Sequence, residues 1–273
     1  MCQLLGMNSS KPAALGFSFG GFAQRGGRTG EHKDGWGIAY HDPDRCHLIT
    51  DQLASSDSPL ARQVSQAPQR SRNVLAHIRK ATQGLPSPDN SHPFTRLLWG
   101  RTWSFAHNGN LEAFHPLLDG AFRSIGQTDS ERAFCFLLTR LQARFPARAP
   151  GRADLFAAIA DIAASVARYG SFNFLLSDGE VFFAHCSTHL HYVVREYPFR
   201  RAHLIDCNVA INFGQHNHLD DRMSVIATTP LTTGEAWHAF APGELKMFAH
   251  GAPCAVGDAA ATAPACMGLA ISY

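Results

Sequence analysis

The 273-residue sequence contains no C-x-x-C pair and no H-E-x-x-H, so the usual signatures of a zinc knuckle or a zinc hydrolase are missing. Its seven cysteines, at 2, 46, 135, 186, 207, 254 and 266, are odd in number and far apart, which argues against a disulfide framework. His189-x-His191 and His216-x-His218 belong to no H-E-x-x-H pattern and read as solvent-side strand or loop residues. No metal and no cofactor is expected. The first residues, MCQLLGMNSSKP, lack a charged segment followed by a long apolar one, and no stretch approaches the ~18 apolar residues of a membrane span. A cytoplasmic protein is the resulting expectation. The formal net charge is only +2 and the basic residues are scattered, which excludes the footprint of a nucleic-acid or membrane binder. Partners are expected to be small molecules or other proteins. Nothing resembles an interdomain linker, so the chain reads as one domain over 2–250 followed by an Ala/Gly-rich tail, 251–273, without a period.

What is present reads as strands, two helices, then strands. Residues 2–7, 35–40, 46–51, 73–79 and 102–106 are short apolar or alternating runs between turn-rich segments. Pro59 after Ser58 suits the first turn of a short helix over 59–67. Phe134, Leu137, Leu138, Leu141 and Phe145 fall on one stripe of a helix over 129–145, and Thr128 with Glu131 has the spacing of a capping box. A second helix is predicted with Asp154 as its cap, Phe156, Ile159, Ala163 and Val166 on its buried face, and Gly170 at its end. Asp178-Gly179 between FNFLLS and EVFFAH predicts a hairpin. Further strands are expected at 191–196, 224–229 and 244–249, giving two sheets packed with helices.

Four places carry residues suited to chemistry. Cys2 follows the initiator methionine, so removal of Met1 would leave one residue holding both a thiol and an α-amine of pKa about 7.7–8.0, a nucleophile with its own base. It reads equally as a small buried hydrophobe opening a strand. In His77-Ile78-Arg79-Lys80-Ala81-Thr82, Arg79 stands where a strand ends and offers a fork of donors to a carboxylate, or is a surface arginine. In His107-Asn108-Gly109, the Asn108 amide and the Gly109 N–H suit an oxyanion hole, while Asn-Gly is also a common hairpin turn. Asp129 is surplus to the capping box and could accept a substrate ammonium.

Taken in order, Cys2, HIRKAT, HNG and TDSE resemble the class II glutamine amidotransferase domain. Arg25-Gly26-Gly27, the run Asp34 to Ala39, and Ser91-His92-Pro93-Phe94 look like the stand-alone branch of that family. The resemblance implies an α+β fold, a four-layer αββα sandwich of two antiparallel sheets between helical layers, of the N-terminal nucleophile hydrolase type. It implies Cys2 as nucleophile, Asn108 and Gly109 as oxyanion hole, and Arg79 and Asp129 as the grips on the α-carboxylate and α-ammonium of glutamine. Thr82 would line the same pocket, and Arg25, in the family's R-G segment near the nucleophile, would also bind substrate. Lys80 stands where some relatives have an aromatic.

The activity so implied is hydrolysis of the glutamine side-chain amide through a γ-glutamyl thioester, releasing ammonia and glutamate. Arg79 and Asp129 would read the same head group in a γ-glutamyl peptide or thiol, so a hydrolase of a glutathione-like substrate is the alternative. A non-catalytic scaffold or partner subunit is the alternative of another class. A synthase partner subunit would turn the glutaminase into half of an amidotransferase.

Overall fold

The computed structural model describes residues 2–42, 45–67, 69–81, 87–118 and 120–254. The elements run β1 Gln3–Ala14, α1 Gly16–Gln24, β2 Trp36–His41, β3 Cys46–Asp51, α2 Pro59–Gln66, β4 Arg70–Ile78, β5 Phe94–Leu98 and β6 Arg101–Leu111. Two helices follow, α3 Asp129–Arg144 and α4 Arg152–Val166, then β7 Gly170–Ser177, β8 Phe182–His185, β9 His191–Arg195, β10 Arg201–Leu204 and β11 Ala210–Asn212. The last strands are β12 Met223–Ala227, β13 Thr232–Thr233, β14 His238–Ala239, β15 Leu245–Ala249 and β16 Ala252–Cys254.

A seven-stranded sheet has the order β14-β9-β12-β1-β4-β2-β3, and a six-stranded sheet the order β16-β15-β8-β7-β6-β5. All recorded pairings are antiparallel. Alternation of side chains along β1 shows how the layers stack. Leu5 and Met7 point into a core shared with Phe19 and Phe22 of α1 and Val64 of α2. Leu4, between them in parity, joins Leu75, Ala106, Leu175 and Phe182 in a second core that lies between the sheets. A third core packs Phe105, Phe172, Phe174 and Phe183 under Phe134, Leu138, Ile159 and Val166 of α3 and α4. The result is the αββα sandwich that the sequence predicts. Gly6 on β1 brings the sheets close: a Cβ there would meet the Phe182 ring at 2.5 Å. A small third sheet, β11-β10-β13, flanks α1, where Leu204 occupies the space a side chain on Gly21 would need.

Several local expectations need correction. Gly151, not Asp154, is the N-cap of α4; Asp154 sits in the first turn, where its charge suits the helix dipole. Phe156 is only half-buried, and Leu155, Ala158 and Ile162 join Ile159, Ala163 and Val166 on the inner face. Thr128 does cap α3, accepting from the Glu131 N–H at 3.1 Å. Glu131 does not complete the box, because its carboxylate instead takes the N–H groups of Ile125 and Gly126 and the Arg96 guanidinium. Gly170 ends the helical segment as expected, after a 3-10 turn, at φ +145°. The Asp178-Gly179 hairpin joins β7 to β8, with Asp178 Oδ1 accepting from the Glu180 and Val181 N–H groups.

Candidate active site

Of the residues singled out in sequence, Arg79 and Asp129 lie near enough to Cys2 to act on its charge, and Asn108 is tied to its strand through Thr228. Cys2 lies two residues before Leu4, at the head of the central strand β1. Its Sγ rests on the backbone that follows β4, receiving the Lys80 N–H at 3.3 Å and donating to the Lys80 carbonyl at 3.4 Å. Burial pushes the thiol pKa up; the Lys80 N–H and the Arg79 charge pull it back, and Asp129 pushes it up again. The thiol is therefore protonated at rest, and forming the thiolate requires a base.

The segment holding Arg79 is pinned by Asp34 and Gly35. The Arg79 N–H donates to the Gly35 carbonyl at 2.9 Å, the Asp34 N–H to the Arg79 carbonyl at 3.2 Å, and the Ala81 N–H to Asp34 Oδ2 at 2.7 Å. Gly35 has φ +94°, and a Cβ there would press on the Asp51 carbonyl at 2.7 Å. Burial lowers the pKa of Arg79, while Cys2 and Asp34 raise it. A guanidinium keeps its charge under such a shift.

Asn108 and Gly109 are not a turn. They lie inside β6, paired with Asn173 and Phe172 of β7. Asn108 is buried, its carbonyl accepts from Asn173 Nδ2 at 2.9 Å, and its side-chain nitrogen lies 3.3 Å from Thr228 Oγ1. Asn108 Oδ1 has no partner. A Cβ on Gly109 would collide with the Ser171 carbonyl and the His107 ring, so only glycine fits. Asp129, the first residue of α3, is also buried; its Oδ2 accepts the Leu111 N–H at 2.8 Å and its Oδ1 the Ser130 N–H at 2.9 Å. Those two bonds tie the helix start to the end of β6.

Beneath these groups are three buried histidines. His107 lies 3.0 Å from the Ser171 carbonyl through Nε2, which makes Nε2 the protonated nitrogen, and Nδ1 then accepts from Ser130 Oγ at 2.8 Å. His77 and His92 stack at 4.1 Å between centroids, and among the described residues neither ring nitrogen of His92 has a hydrogen-bond partner. Burial holds His77 down to about 3 and His92 well below its ordinary value, so both are neutral.

Arg25 reaches Gln3, the residue after Cys2. All three guanidinium nitrogens are engaged: Nε with Asp206 at 2.8 Å, Nη2 with the Pro230 carbonyl at 2.6 Å, and Nη1 with Thr229 at 2.6 Å and Gln3 at 3.5 Å. It braces α1 against the segment after β12 and reaches the residue next to Cys2. Thr82 lies outside the described residues. Three groups have no role assigned from the sequence: Asp34, the Lys80 backbone and Thr228. Asp34 belongs to the D-G-W-G run, which was a usable signal; a threonine closing a strand was not. Among the described residues, no group of three or more His, Cys, Asp or Glu is placed to hold a metal, and no helix is long and apolar enough to cross a membrane.

A four-layer αββα sandwich with a cysteine at the head of a central strand defines the N-terminal nucleophile hydrolase fold. The chain belongs to the class II glutamine amidotransferases, whose family model matches residues 1–267. It is 47% identical over 252 residues to YafJ of Escherichia coli (strain K12), spanning 92% of this chain and 98% of that one. A Haemophilus influenzae relative is 44% identical over 251 residues, covering 92% and 85% of the two chains. The 2.0 Å crystal structure of a predicted glutamine amidotransferase from Pseudomonas aeruginosa PA01 superposes with a TM-score of 0.74 at 37% identity, covering 93% of this chain and all of that one. An allosteric regulatory enzyme of purine biosynthesis shares the fold alone, with a TM-score of 0.57 at 14% identity over 91% of this chain and 47% of that one.

Proposed function

We propose that this protein hydrolyses the side-chain amide of glutamine with Cys2 as nucleophile, once Met1 is removed. The observation that carries the reading is the environment of Cys2 Sγ: a backbone N–H at 3.3 Å, with Arg79 and Asp129 both near enough to act on its charge. A cation and an anion flanking one half-buried thiol match the two ends of an α-amino acid head group. Arg79 would take the carboxylate as a fork, and Asp129, whose two existing bonds leave lone pairs free, would take the ammonium.

The freed α-amine removes the thiol proton, and the sulfur attacks the γ-carbonyl carbon. Asn108 and the Gly109 N–H hold the oxyanion, at a value of roughly 3–4 kcal/mol per donor. As the C–N bond breaks, the α-ammonium returns its proton to the leaving nitrogen, and ammonia departs. Water, deprotonated by the same amine, then splits the thioester to glutamate and free thiol. An amino-acid head gripped in this way makes the reaction partner a small molecule; a synthase subunit would be the receiver of the ammonia.

Intact mass spectrometry before and after a glutamine-like diazo-ketone tests the reading, with Cys2→Ala as control and ammonia release from glutamine measured alongside. Loss of Met1, one adduct absent from the variant, and glutamine turnover are the expected results. Retained Met1 or an unlabelled Cys2 would favour a non-catalytic scaffold. Labelling with turnover only of γ-glutamyl peptides would move the substrate to that class.

A further inference from the structure

We propose that Thr228 is a positioning residue for catalysis, whose hydroxyl fixes the side-chain amide of Asn108 so that its NH2, and not its oxygen, meets the developing oxyanion. This rests on the reading of Cys2 and Asn108 given above. Thr228 is buried immediately after β12, where that strand lies against β1. Its backbone N–H donates to the Leu4 carbonyl at 3.1 Å, and its Oγ1 accepts the Leu4 N–H at 2.9 Å. The hydroxyl is thereby anchored two residues from the nucleophile. The same Oγ1 lies 3.3 Å from the Asn108 amide.

The two ends of a side-chain amide exchange by a half-turn, and hydrogen bonding decides between them. With nitrogen toward Thr228, Asn108 Oδ1 is left buried without a partner. Thr228 Oγ1 would then accept two N–H groups, and its own proton would have no acceptor. A buried carbonyl left unmatched is costly, and at that position it would also repel an oxyanion. With oxygen toward Thr228, the hydroxyl proton gains an acceptor and the Asn108 carbonyl a donor, and only the NH2 is left unpaired until substrate arrives. The hydroxyl accepts from Leu4 and donates to Asn108 Oδ1, and the NH2 takes the position turned away from Thr228, free to donate to substrate oxygen. The half-turn is fixed by the one side chain able to accept from Leu4 and donate to Asn108 together.

The experiment is a double-mutant cycle on glutamine hydrolysis with Thr228→Val, Thr228→Ser, Asn108→Ala and Asn108→Ala/Thr228→Val, reading kcat and KM separately. Valine keeps the shape and removes the hydroxyl. Expected are a fall in kcat of about ten-fold or more for Thr228→Val, bounded by the roughly 100- to 1000-fold loss of an oxyanion donor. KM stays within about two-fold, because a misset amide weakens only transition-state binding. Serine restores kcat to within a few-fold. In the Asn108→Ala background the valine change lowers kcat by no more than about two-fold, the residue of the lost Leu4 bond, since the catalytic effect of Thr228 runs through that amide. Equal fractional losses in both backgrounds, or parallel changes in KM and melting temperature that serine does not repair, would mean a purely structural role and overturn the proposal. An unchanged kcat would do the same. If the wild type itself neither turns over glutamine nor is alkylated at Cys2, the parent reading fails first, and that outcome is seen before any Thr228 variant is made.

Discussion

Arg79 and Asp129 bring opposite charges to a half-buried thiol, and the backbone fixes where each is carried. Asp129 takes two N–H groups, and the Arg79 backbone is fixed by Asp34 and Gly35. Their geometry is therefore set before any ligand arrives, which lowers the entropy cost of binding. Lysine at 79 would keep the charge and lose the fork, so Arg79→Lys is expected to raise KM for glutamine about ten-fold or more, equivalent to ~1.4 kcal/mol, with kcat within a few-fold. Steady-state kinetics decide; a fall in kcat at constant KM would remove Arg79 from head-group binding. At this scale the sequence was legible where chemistry concentrates in short runs, as at Cys2, Arg79, Asn108 and Asp129. Thr228 was not, because its meaning comes from a contact with a residue 120 positions away. Arg25 was legible as important by its R-G setting, but its partners Asp206, Thr229 and Pro230 are visible only in three dimensions.

Helix α3 was read almost to the residue because its stripe, cap and length agree with one another. Its cap is open to test. Thr128→Ala removes the acceptor of the Glu131 N–H and is expected to cost about 1 kcal/mol, read as a lower urea midpoint. Asp129 opens this helix, so the same variant should also raise KM, and unaltered stability would show that the cap bond is not formed. Helix α1, GFSFGGFAQ, was missed for the opposite reason. Three glycines and no charge give it a poor intrinsic propensity. Packing overrides this: Phe19 and Phe22 are buried, and Gly21 lets Leu204 come within 2.6 Å of where its side chain would be. Strand β6 was cut short at 106 because Asn-Gly usually turns a chain. Here Asn173 and Phe172 across the ladder hold it extended to Leu111.

Across the whole molecule, the layered architecture buries imidazoles in quantity. Burial holds His41 down to about 4 and His77 to about 3, against 6.5 in an open chain. Both are neutral in the fold, so above pH 6.5 they cost nothing. Below that value the unfolded chain takes up protons that the fold refuses, and each residue removes up to ~1.4 kcal/mol of stability per pH unit until its folded pKa is reached. Urea midpoints should therefore fall steadily from pH 6.5 toward 4. His41 joins the sheets through Ser104 Oγ at 2.7 Å, and His41→Gln, which can keep a hydrogen bond but cannot titrate, should shallow the decline by about one proton. An unchanged slope would mean that His41 is protonated in the fold. The two-sheet plan itself was legible from the strand count and the family resemblance. The small sheet of β10, β11 and β13 was not, since strands of two to four residues carry too little alternation to register. β1 is bonded along both edges, by β12 and β4, and packed on both faces, by α1 and by the opposite sheet. Nothing short of parting the layers can release it, so the setting of the cysteine at its head persists for as long as the fold does: the working lifetime of the site and the lifetime of the native molecule are one quantity.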